Sequence, residues 1–401
     1  MDELKYPYIR VGTTYYKRIK KPLLSGDFLE ILAPWSLEII KQDYGRKWSE
    51  VFDEIPKFDG FTNIPAHSQY SRMHHGFYNK YEPLPCKPSP GSFTLIESFL
   101  KHLFQEQFTI ALDYLTLLYQ KPTEPLPILC LVSKERGTGK TTFLNLLKGM
   151  FGLNMTYNNN EDFRSVFNDS WVNKLIIAVD EVLLDRREDS ERIKNLSTAK
   201  SYKAEAKGKS RVDIEFFGKF VLCSNNEEDF IKIDPVETRY WVRKVEPLEK
   251  SDPFMLERMK KEIPAFLHFL NSRKITSEKK TRMWFEEKLL ETPALLKVKR
   301  RFRNKQETEL LEIIQEIMDA FELEELHFTN KDAIEWLGSY NIRVTRSEVK
   351  GYLENWGLPS MDNSYNYTTY KYNSVGNLYE DHHKGRYYIL KRSDLTNILM
   401  I

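Results

Sequence analysis

The most informative stretch of this chain runs Lys134-Glu135-Arg136-Gly137-Thr138-Gly139-Lys140-Thr141. It follows the apolar run Ile128–Val132, which predicts a buried strand, and it precedes a helical pattern over residues 143–150. A glycine-rich turn between a strand and a helix presents main-chain N–H groups at a helix N-terminus, where they bind phosphate groups. The stretch therefore predicts a phosphate-binding loop in an α/β fold with a central sheet.

This loop carries the residue types that bind a nucleoside triphosphate such as ATP. Lys140 would neutralise the β- and γ-phosphates, and the Thr141 hydroxyl would join the ligands of Mg²⁺. Lys134 stands where the usual pattern has its first glycine, so the start of the loop departs from that pattern. The alternative is a glycine-rich turn with a chance Gly-Lys-Thr, which the flanking strand and helix disfavour. The expected nucleotide contacts are Arg136, Gly137, Thr138, Gly139, Lys140, Thr141 and Thr142.

Two acids follow a second apolar run. Asp180 and Glu181 come directly after residues 175–179, which predict another buried strand. Open α/β sheets bind their ligands at the carboxyl ends of the strands, so both acids are expected at that edge. We expect Asp180 to hold Mg²⁺ and Glu181 to orient the attacking water. An apolar run before Asp-Glu is often only structural, but this one lies in the same α/β block as the phosphate-binding loop.

A third apolar run, residues 220–223, ends in Ser224-Asn225-Asn226. A neutral amide at a strand end can hydrogen-bond the γ-phosphate or the attacking water without adding negative charge. Asn-Asn after a strand is more often a turn. The position of this run after the two acids nevertheless favours a sensor role for Asn225.

An arginine downstream of these strands is a candidate for stabilising charge during phosphoryl transfer. Arg239 could complete the site of a neighbouring subunit, and Arg243 is the rival candidate. The alternative for Arg239 is an ion pair with Glu237, which would make it structural.

A short basic segment lies between the acids and Asn225. Lys207 and Lys209 flank Gly208, which suits the tip of a hairpin. Two ammonium groups at such a tip could contact the phosphates of a nucleic-acid strand without reading its sequence. A solvated charged loop is the open alternative.

The composition is that of a globular protein with several domains. The chain has 401 residues, with 60 lysines and arginines against 58 aspartates and glutamates. This balance excludes a disordered tail protein and a collagen. No apolar run approaches the roughly 18 residues of a membrane span. The three cysteines are far apart, which argues against a disulfide framework or a zinc ribbon. His74, His75 and Cys86 are three possible metal ligands, but the absence of a second pair nearby favours an incidental grouping.

The sequence divides into five regions. The many aromatic residues of the first region are expected to form a small core rather than a base-stacking platform, and Ser92 is a candidate cap for the helical region that follows. The regions are 1–92, irregular and aromatic-rich; 93–127, helical; 128–250, the α/β core; 251–305, helices and a basic linker; and 306–401, a separable unit.

The last region shows three helical segments followed by two β-type runs, residues 365–372 and 386–391, which is the order of a winged helix. Residues 347–356 would form the recognition helix, with Arg343, Arg346 and Lys350 near phosphates. The helix carries only one lysine and two glutamates, so binding to protein, or packing on the core, stays open.

The order of these motifs resembles the compact ATPase core of superfamily 3 DNA helicases, which occur in virus, phage and plasmid replication proteins. The likeness covers roughly residues 75–250. It extends to the helicase half of phage and mobile-element primase-helicases, although residues 1–92 show no primase motifs, so priming is not implied. The phrases that carry this wider likeness are Tyr78-Asn79-Lys80-Tyr81-Glu82-Pro83-Leu84, the phosphate-binding loop with the strand before it, Phe167-Asn168-Asp169-Ser170-Trp171 and Arg239-Tyr240-Trp241-Val242.

The resemblance implies a P-loop (AAA+-like) ATPase core with a helical N-terminal region and a C-terminal winged-helix-like domain. It implies rings, usually hexamers, that bind ATP at subunit interfaces and move 3′ to 5′ on single-stranded DNA. Arg239 would reach in from the next subunit, and Lys207 or Lys209 would line the central channel. A primase or polymerase would be a partner, and the bacterial host cytoplasm the location. At each interface, one subunit would contribute the residues that bind and hydrolyse ATP, namely Lys140, Thr141, Asp180, Glu181 and Asn225.

Two further functions remain open from the sequence. The winged-helix order also suits a DNA-binding initiator or recruiter that uses ATP mainly to hold an oligomer together. A P-loop small-molecule kinase would account for Lys140 and Asp180. It would leave the Asn225 strand, the basic segment and the last region unexplained.

Overall fold

The computed structural model describes residues 5–22, 24, 28–165, 168–184, 187–205, 211–234, 237–250, 252–301, 305–373 and 376–400. The strands are β1 Tyr8–Val11, β2 Thr14–Pro22, β3 Phe28–Trp35, β4 Lys57–Phe58, β5 Phe61–Thr62, β6 Met73–His74, β7 Phe77–Asn79, β8 Ile128–Val132, β9 Met155–Asn158, β10 Ile176–Val179, β11 Ser201–Ala204, β12 Val212–Glu215, β13 Lys219–Ser224, β14 Tyr240–Lys244, β15 Glu325–Phe328, β16 Tyr365–Tyr372, β17 Leu378–Gly385 and β18 Tyr388–Lys391. The helices are α1 Leu37–Tyr44, α2 Trp48–Glu54, α3 Thr94–Phe104, α4 Phe108–Gln120, α5 Lys140–Phe151, α6 Asn160–Arg164, α7 Arg187–Ser197, α8 Met255–Ser272, α9 Glu287–Leu290, α10 Pro293–Arg301, α11 Lys305–Ala320, α12 Asn330–Ser339, α13 Arg346–Asn355 and α14 Arg392–Met400.

A five-stranded parallel sheet forms the centre of the molecule, in the order β14-β8-β13-β10-β9. Strands β8, β10 and β13 are buried along their whole length. Such strands are rich in Val, Ile and Leu because both of their faces are covered, and for that reason they read as continuous apolar runs. The predicted α/β architecture is thus confirmed as a mixed fold with a parallel sheet and helices.

Helices cover both faces of this sheet. Apolar residues of α3, α4, α5 and α8 pack on one face, and residues of α7 and α10 pack on the other. Ser92 does not cap α3. The helix begins after Phe93, and the carboxylate of Glu262 on α8 accepts hydrogen bonds from the main-chain N–H groups of Leu95 and Ile96. A carboxylate at a helix N-terminus satisfies free N–H groups and complements the helix dipole.

The region before residue 93 is not irregular, as its sequence suggests. It contains a four-stranded sheet, β3-β2-β1-β4, and a three-stranded sheet, β5-β7-β6. Its aromatic residues form two small clusters, one around Tyr8 and Ile40 and one around Ile9 and Tyr78. The predicted small aromatic core is therefore present. The sheet was missed because β2 is largely half-buried or exposed, so it lacks a strong apolar alternation.

Buried asparagines order this first region and connect it to the turn before β9. Asn79 is fully buried, and its side-chain amide accepts a hydrogen bond from Ile64 N–H and donates one to Ile64 O. Further along, Asn154 and the main chain of Glu82 exchange two hydrogen bonds of 2.9 and 2.7 Å. These contacts give the Tyr78–Leu84 phrase a structural role, since buried amides need partners for each donor and acceptor.

The last region has a core of its own, which includes residues of α11 to α14 and of β15. The capping residues of α12 and α13 are Thr329 and Thr345, each in a reciprocal capping box.

The predicted hairpin is only half right. Strand β16 pairs with β17 rather than with residues 386–391, and β18 pairs instead with β15. Strand β17 is polar and charged, so its sequence gives no apolar signal. Helix α11 begins at Lys305, the last residue of the region expected to hold helices and a basic linker.

Among the described residues, none of the helices is both long and apolar enough to cross a membrane.

Candidate functional site

Three loops that carry the predicted site residues meet at the carboxyl edge of the central sheet. Strand β13 lies between β8 and β10 and pairs in parallel with both. The loops that follow these strands are also tied together by hydrogen bonds. Ser133 N–H donates to Ser224 O at 3.1 Å, and the Ser224 hydroxyl donates to Val182 O at 2.9 Å. After β8 the chain crosses past β13 and β10 to β9, whereas after β13 it crosses in the opposite direction to β14. Open α/β sheets bind ligands at the carboxyl edge where the direction of the connections reverses in this way.

The predicted phosphate-binding loop, residues 134–141, contains two glycines in the left-handed backbone region. Gly137 and Gly139 have φ values of 68° and 95°, a region that residues with a Cβ rarely adopt. A Cβ on Gly139 would lie 2.8 Å from Cε2 of Phe99 on α3. Gly139 directly precedes α5, so the loop's main chain leads into a twelve-residue helix whose N-terminus attracts anions.

Lys140 is buried beneath this loop. Lys140 is 6% exposed, and its Nζ donates to Ser133 O at 3.3 Å and to Thr138 Oγ1 at 3.2 Å. Burial lowers the pKa of Lys140, while the negative charge of Asp180 and Glu227 acts in the opposite direction. The ammonium is therefore held against the loop, and its weak polar partners are ones that a phosphate oxygen could replace.

The Thr141 hydroxyl donates to Oδ2 of Asp180 at 2.8 Å. A hydroxyl and one carboxylate fit Mg²⁺, which prefers oxygen ligands and takes its remaining ones from phosphates and water. No cluster of three or more histidine, cysteine or acidic residues with metal-binding geometry occurs in the described part of the chain. The donors present thus suit an ion bound together with a phosphate ligand, rather than a site built from protein groups alone.

Glu181 and Asn225 lie at the same edge and are exposed. Glu181 has a φ of 58°, which costs a residue other than glycine about 1–3 kcal/mol and is often found at functional sites. Asn226, not Asn225, makes the turn, because its side chain accepts the N–H groups of Glu228 and Asp229. The Asn225 side chain is left free of that turn.

The two candidate arginines lie at opposite ends of β14. Tyr240 pairs with Ile128, so Arg239 precedes the strand at the amino edge of the sheet, away from the phosphate-binding loop. It is mostly buried and donates to Glu237 at 2.8 Å. Arg243 lies at the carboxyl edge, but it is buried and paired with Glu106. Neither arginine points freely at the loop of its own protomer.

Strands β11 and β12 form the predicted hairpin, with Ala204 paired to Val212. The tip residues Lys207 and Lys209 lie outside the described residues. The hairpin is anchored by Asn168, which is 2% exposed. Its side chain donates to Lys203 O at 2.9 Å and accepts from Glu205 N at 2.8 Å.

A second anchor comes from Arg192 on α7, which donates to the Tyr202 hydroxyl at 3.0 Å and to Ser165 O at 3.1 Å. Neither anchor was recognised as a site residue from sequence, although Asn168 lies in one of the phrases that carry the helicase resemblance. A cavity of about 610 Å³ lies against α7 beside this hairpin rather than at the phosphate-binding loop.

The chain is similar to a family of unknown function and, over part of its length, to a phage DNA primase-polymerase. Residues 131–239, from β8 to Arg239, match a family described only as a family of unknown function (DUF5906). Over 160 residues the chain is 27% identical to the DNA primase-polymerase of Nitratiruptor phage NrS-1. The aligned part is 37% of this chain and 22% of that relative, so the chain spans about a fifth of the relative's length.

The fold likeness is much more extensive than the sequence likeness. The apo structure of the NrS-1 C-terminal region superposes with a TM-score of 0.63 and 16% identity, over 96% of this chain and 95% of that one. An A-form apo structure of the same region gives a TM-score of 0.61 over 94% of both chains. At such low identity these matches concern the fold alone, which this chain shares with nearly all of that C-terminal region.

The Asn168 anchor yields a test of the hairpin's attachment. In Asn168→Ala, the main-chain groups of Lys203 and Glu205 lose their partners, so we expect amide hydrogen exchange in β11 and β12 to become about tenfold faster. Asp169→Asn, at an exposed neighbouring position, is the matched control and should exchange like the unmodified protein. Equal exchange in Asn168→Ala and the control would contradict the anchoring role.

Proposed function

We propose that this chain is an ATP-dependent DNA helicase or translocase that acts in phage replication. The observation that carries the proposal is the contact of Thr141 with Asp180 at 2.8 Å, beside Lys140 in a glycine-rich loop at the N-terminus of α5. A small-molecule kinase could share this contact. It would not need the exposed Asn225, the anchored basic hairpin or the C-terminal unit.

In the proposed reaction, each side chain acts on ATP from the sheet edge. The N–H groups from Gly137 to Thr141 and the Lys140 ammonium would bind the β- and γ-phosphates, with Arg136 and Thr142 at the two ends of the loop. Bound Mg²⁺ would neutralise phosphate charge between Thr141 and Asp180. Glu181 would orient the attacking water, and Asn225 would hydrogen-bond the γ-phosphate or that water.

Arg239 would serve a neighbouring protomer. The amino and carboxyl ends of β8 are roughly 13 Å apart at a strand rise of about 3.3 Å per residue, so Arg239 lies too far from its own loop to contact ATP there. A ring, such as a hexamer, would bring it to the adjacent site. Lys207 and Lys209 would then contact single-stranded DNA in the central channel.

The setting in phage replication is supported by the similarity to the NrS-1 DNA primase-polymerase. A polymerase or primase is accordingly the partner that we propose for this chain.

The alternative is a DNA-binding initiator or recruiter that uses ATP mainly for oligomerisation. The observation that favours it is the C-terminal unit, in which exposed Arg343, Arg346 and Lys350 lie on and beside α13. A helix with such residues is a common means of contacting a duplex.

Lys140→Ala tests ATP binding. Removing the ammonium takes away the cation for the β- and γ-phosphates, so we expect magnesium-dependent ATP binding and hydrolysis to fall by at least about a hundredfold. Calorimetry and phosphate release measure the two effects. Lys101→Ala, on the exposed face of α3, is the control and should behave like the unmodified protein. If both variants hydrolyse ATP equally, the phosphate-binding loop does not have the proposed role.

Glu181→Gln separates the enzyme from the recruiter. The amide keeps the shape of the side chain but cannot polarise water as a carboxylate does. We therefore expect kcat to fall about a hundredfold while ATP affinity stays within about threefold. Unwinding of a tailed duplex should be lost together with hydrolysis. A variant that hydrolyses no ATP yet still supports replication in a reconstituted system would favour the recruiter.

Mixing two inactive variants tests the shared site. Arg239→Ala has an intact Lys140, and Lys140→Ala has an intact Arg239. If Arg239 acts across an interface, a site is active only when its loop comes from an Arg239→Ala subunit and its arginine from a Lys140→Ala subunit. An equal mixture should therefore regain activity at about one site in four. Circular dichroism of each variant checks that it folds. No regain of activity from two folded, oligomeric variants would mean that Arg239 serves only its ion pair with Glu237.

A further inference from the structure

The start of the phosphate-binding loop, where Lys134 replaces the usual glycine, is held by a side chain from another loop. The main-chain N–H of Lys134 donates to Oε1 of Glu227 at 3.1 Å. The Lys134 side chain itself points outward and is 65% exposed. The contact therefore fixes the backbone of the loop rather than its side chain.

Glu227 is a buried carboxylate with its charge compensated. It is 8% exposed, and Nζ of Lys244 and Nζ of Lys297 lie 3.9 and 4.0 Å from its oxygens. A buried charge without such neighbours would cost several kcal/mol. Both lysines have other acidic partners, Glu246 at 3.4 Å and Glu228 at 2.8 Å, so they do not depend on Glu227.

The position of Glu227 in the chain links the loop to the candidate sensor. It lies two residues after Asn225, and the turn closed by the Asn226 side chain fixes the main chain from Asn226 to Asp229, which includes Glu227. Glu227 is therefore a direct connection between the backbone of the phosphate-binding loop and the segment that carries Asn225. Its negative charge also favours the charged form of the nearby Lys140.

We infer that Glu227 is a positioning residue for the nucleotide site, which sets the first turn of the phosphate-binding loop and couples it to Asn225. The inference rests on the proposed ATPase function. A glycine usually forms the turn at the start of such a loop. Here one hydrogen bond, accepted by Glu227 in the loop after β13, would hold that turn in place. A hydrogen bond to a charged acceptor is among the stronger ones in a protein.

Three variants separate this role from a general loss of stability. Glu227→Ala removes both the acceptor and the charge, so we expect KM for ATP to rise about tenfold with kcat within about threefold. Glu227→Gln keeps an oxygen that can accept the Lys134 N–H, and its KM should rise by no more than about threefold. Glu228→Gln, which weakens only the exposed ion pairs with Lys134 and Lys297, is the control and should leave KM unchanged.

Hydrogen exchange at residues 134–139 gives a readout that does not require ATPase activity. Exchange should be faster in Glu227→Ala than in Glu227→Gln or Glu228→Gln. A folded Glu227→Ala protein with unchanged KM and unchanged exchange overturns the inference. Faster exchange in a protein that binds no ATP in any form would uphold the positioning of the loop but overturn the proposed function.

Discussion

The parallel pairing of β8, β13 and β10 is the constraint on which the candidate site depends. Strand β13 lies between the other two, so three loops that are distant in sequence end at one edge. This arrangement requires strands that are apolar on both faces, and it leaves polar residues only at the strand ends. The Thr141–Asp180 contact follows directly from it, because it joins a helix start after β8 to the end of β10. Chemistry at this edge is therefore a consequence of how the sheet is ordered.

The sequence predicted the three adjacent strands β8, β13 and β10 for the same reason, but not the outer strands β9 and β14. A strand buried on both faces reads as a short apolar run bounded by polar residues, and β8, β10 and β13 were each predicted to within a residue or two. Strands that are covered on one side only, such as β2, or that pair through a polar hairpin, such as β17, carry no such signal. Their formation is decided by main-chain pairing and by distant neighbours, which a local pattern does not contain.

The candidate site divides in the same way. The residues at strand ends could be chosen from sequence, because the strand itself fixes the edge at which they lie. Glu227 and Asn168 could not, since their partners lie 93 and 35 residues away along the chain. Each of them binds the main chain of another segment, and such contacts impose no residue type on the partner. The sequence signals were indirect: Glu227 closely follows Asn225, and Asn168 lies in one of the segments on which the resemblance to helicases rests.

If Arg239 acts at a shared site as we propose, the positions of Arg239, just before β14, and of Arg243, within it, favour a ring over a twofold dimer. Arg243 lies at the edge that carries the phosphate-binding loop, but Glu106 already compensates its charge. Arg239 lies at the opposite edge, so it can assist phosphoryl transfer only if the amino edge of one sheet meets the carboxyl edge of the next. Two different surfaces then form each contact, which makes the interface heterologous. An interface of this kind continues from subunit to subunit, and it ends only when the rotation between subunits closes a ring. If the proposed shared site is built on Arg239, the subunits must therefore assemble head to tail, and a ring with a central channel is the closed form of that assembly that we propose.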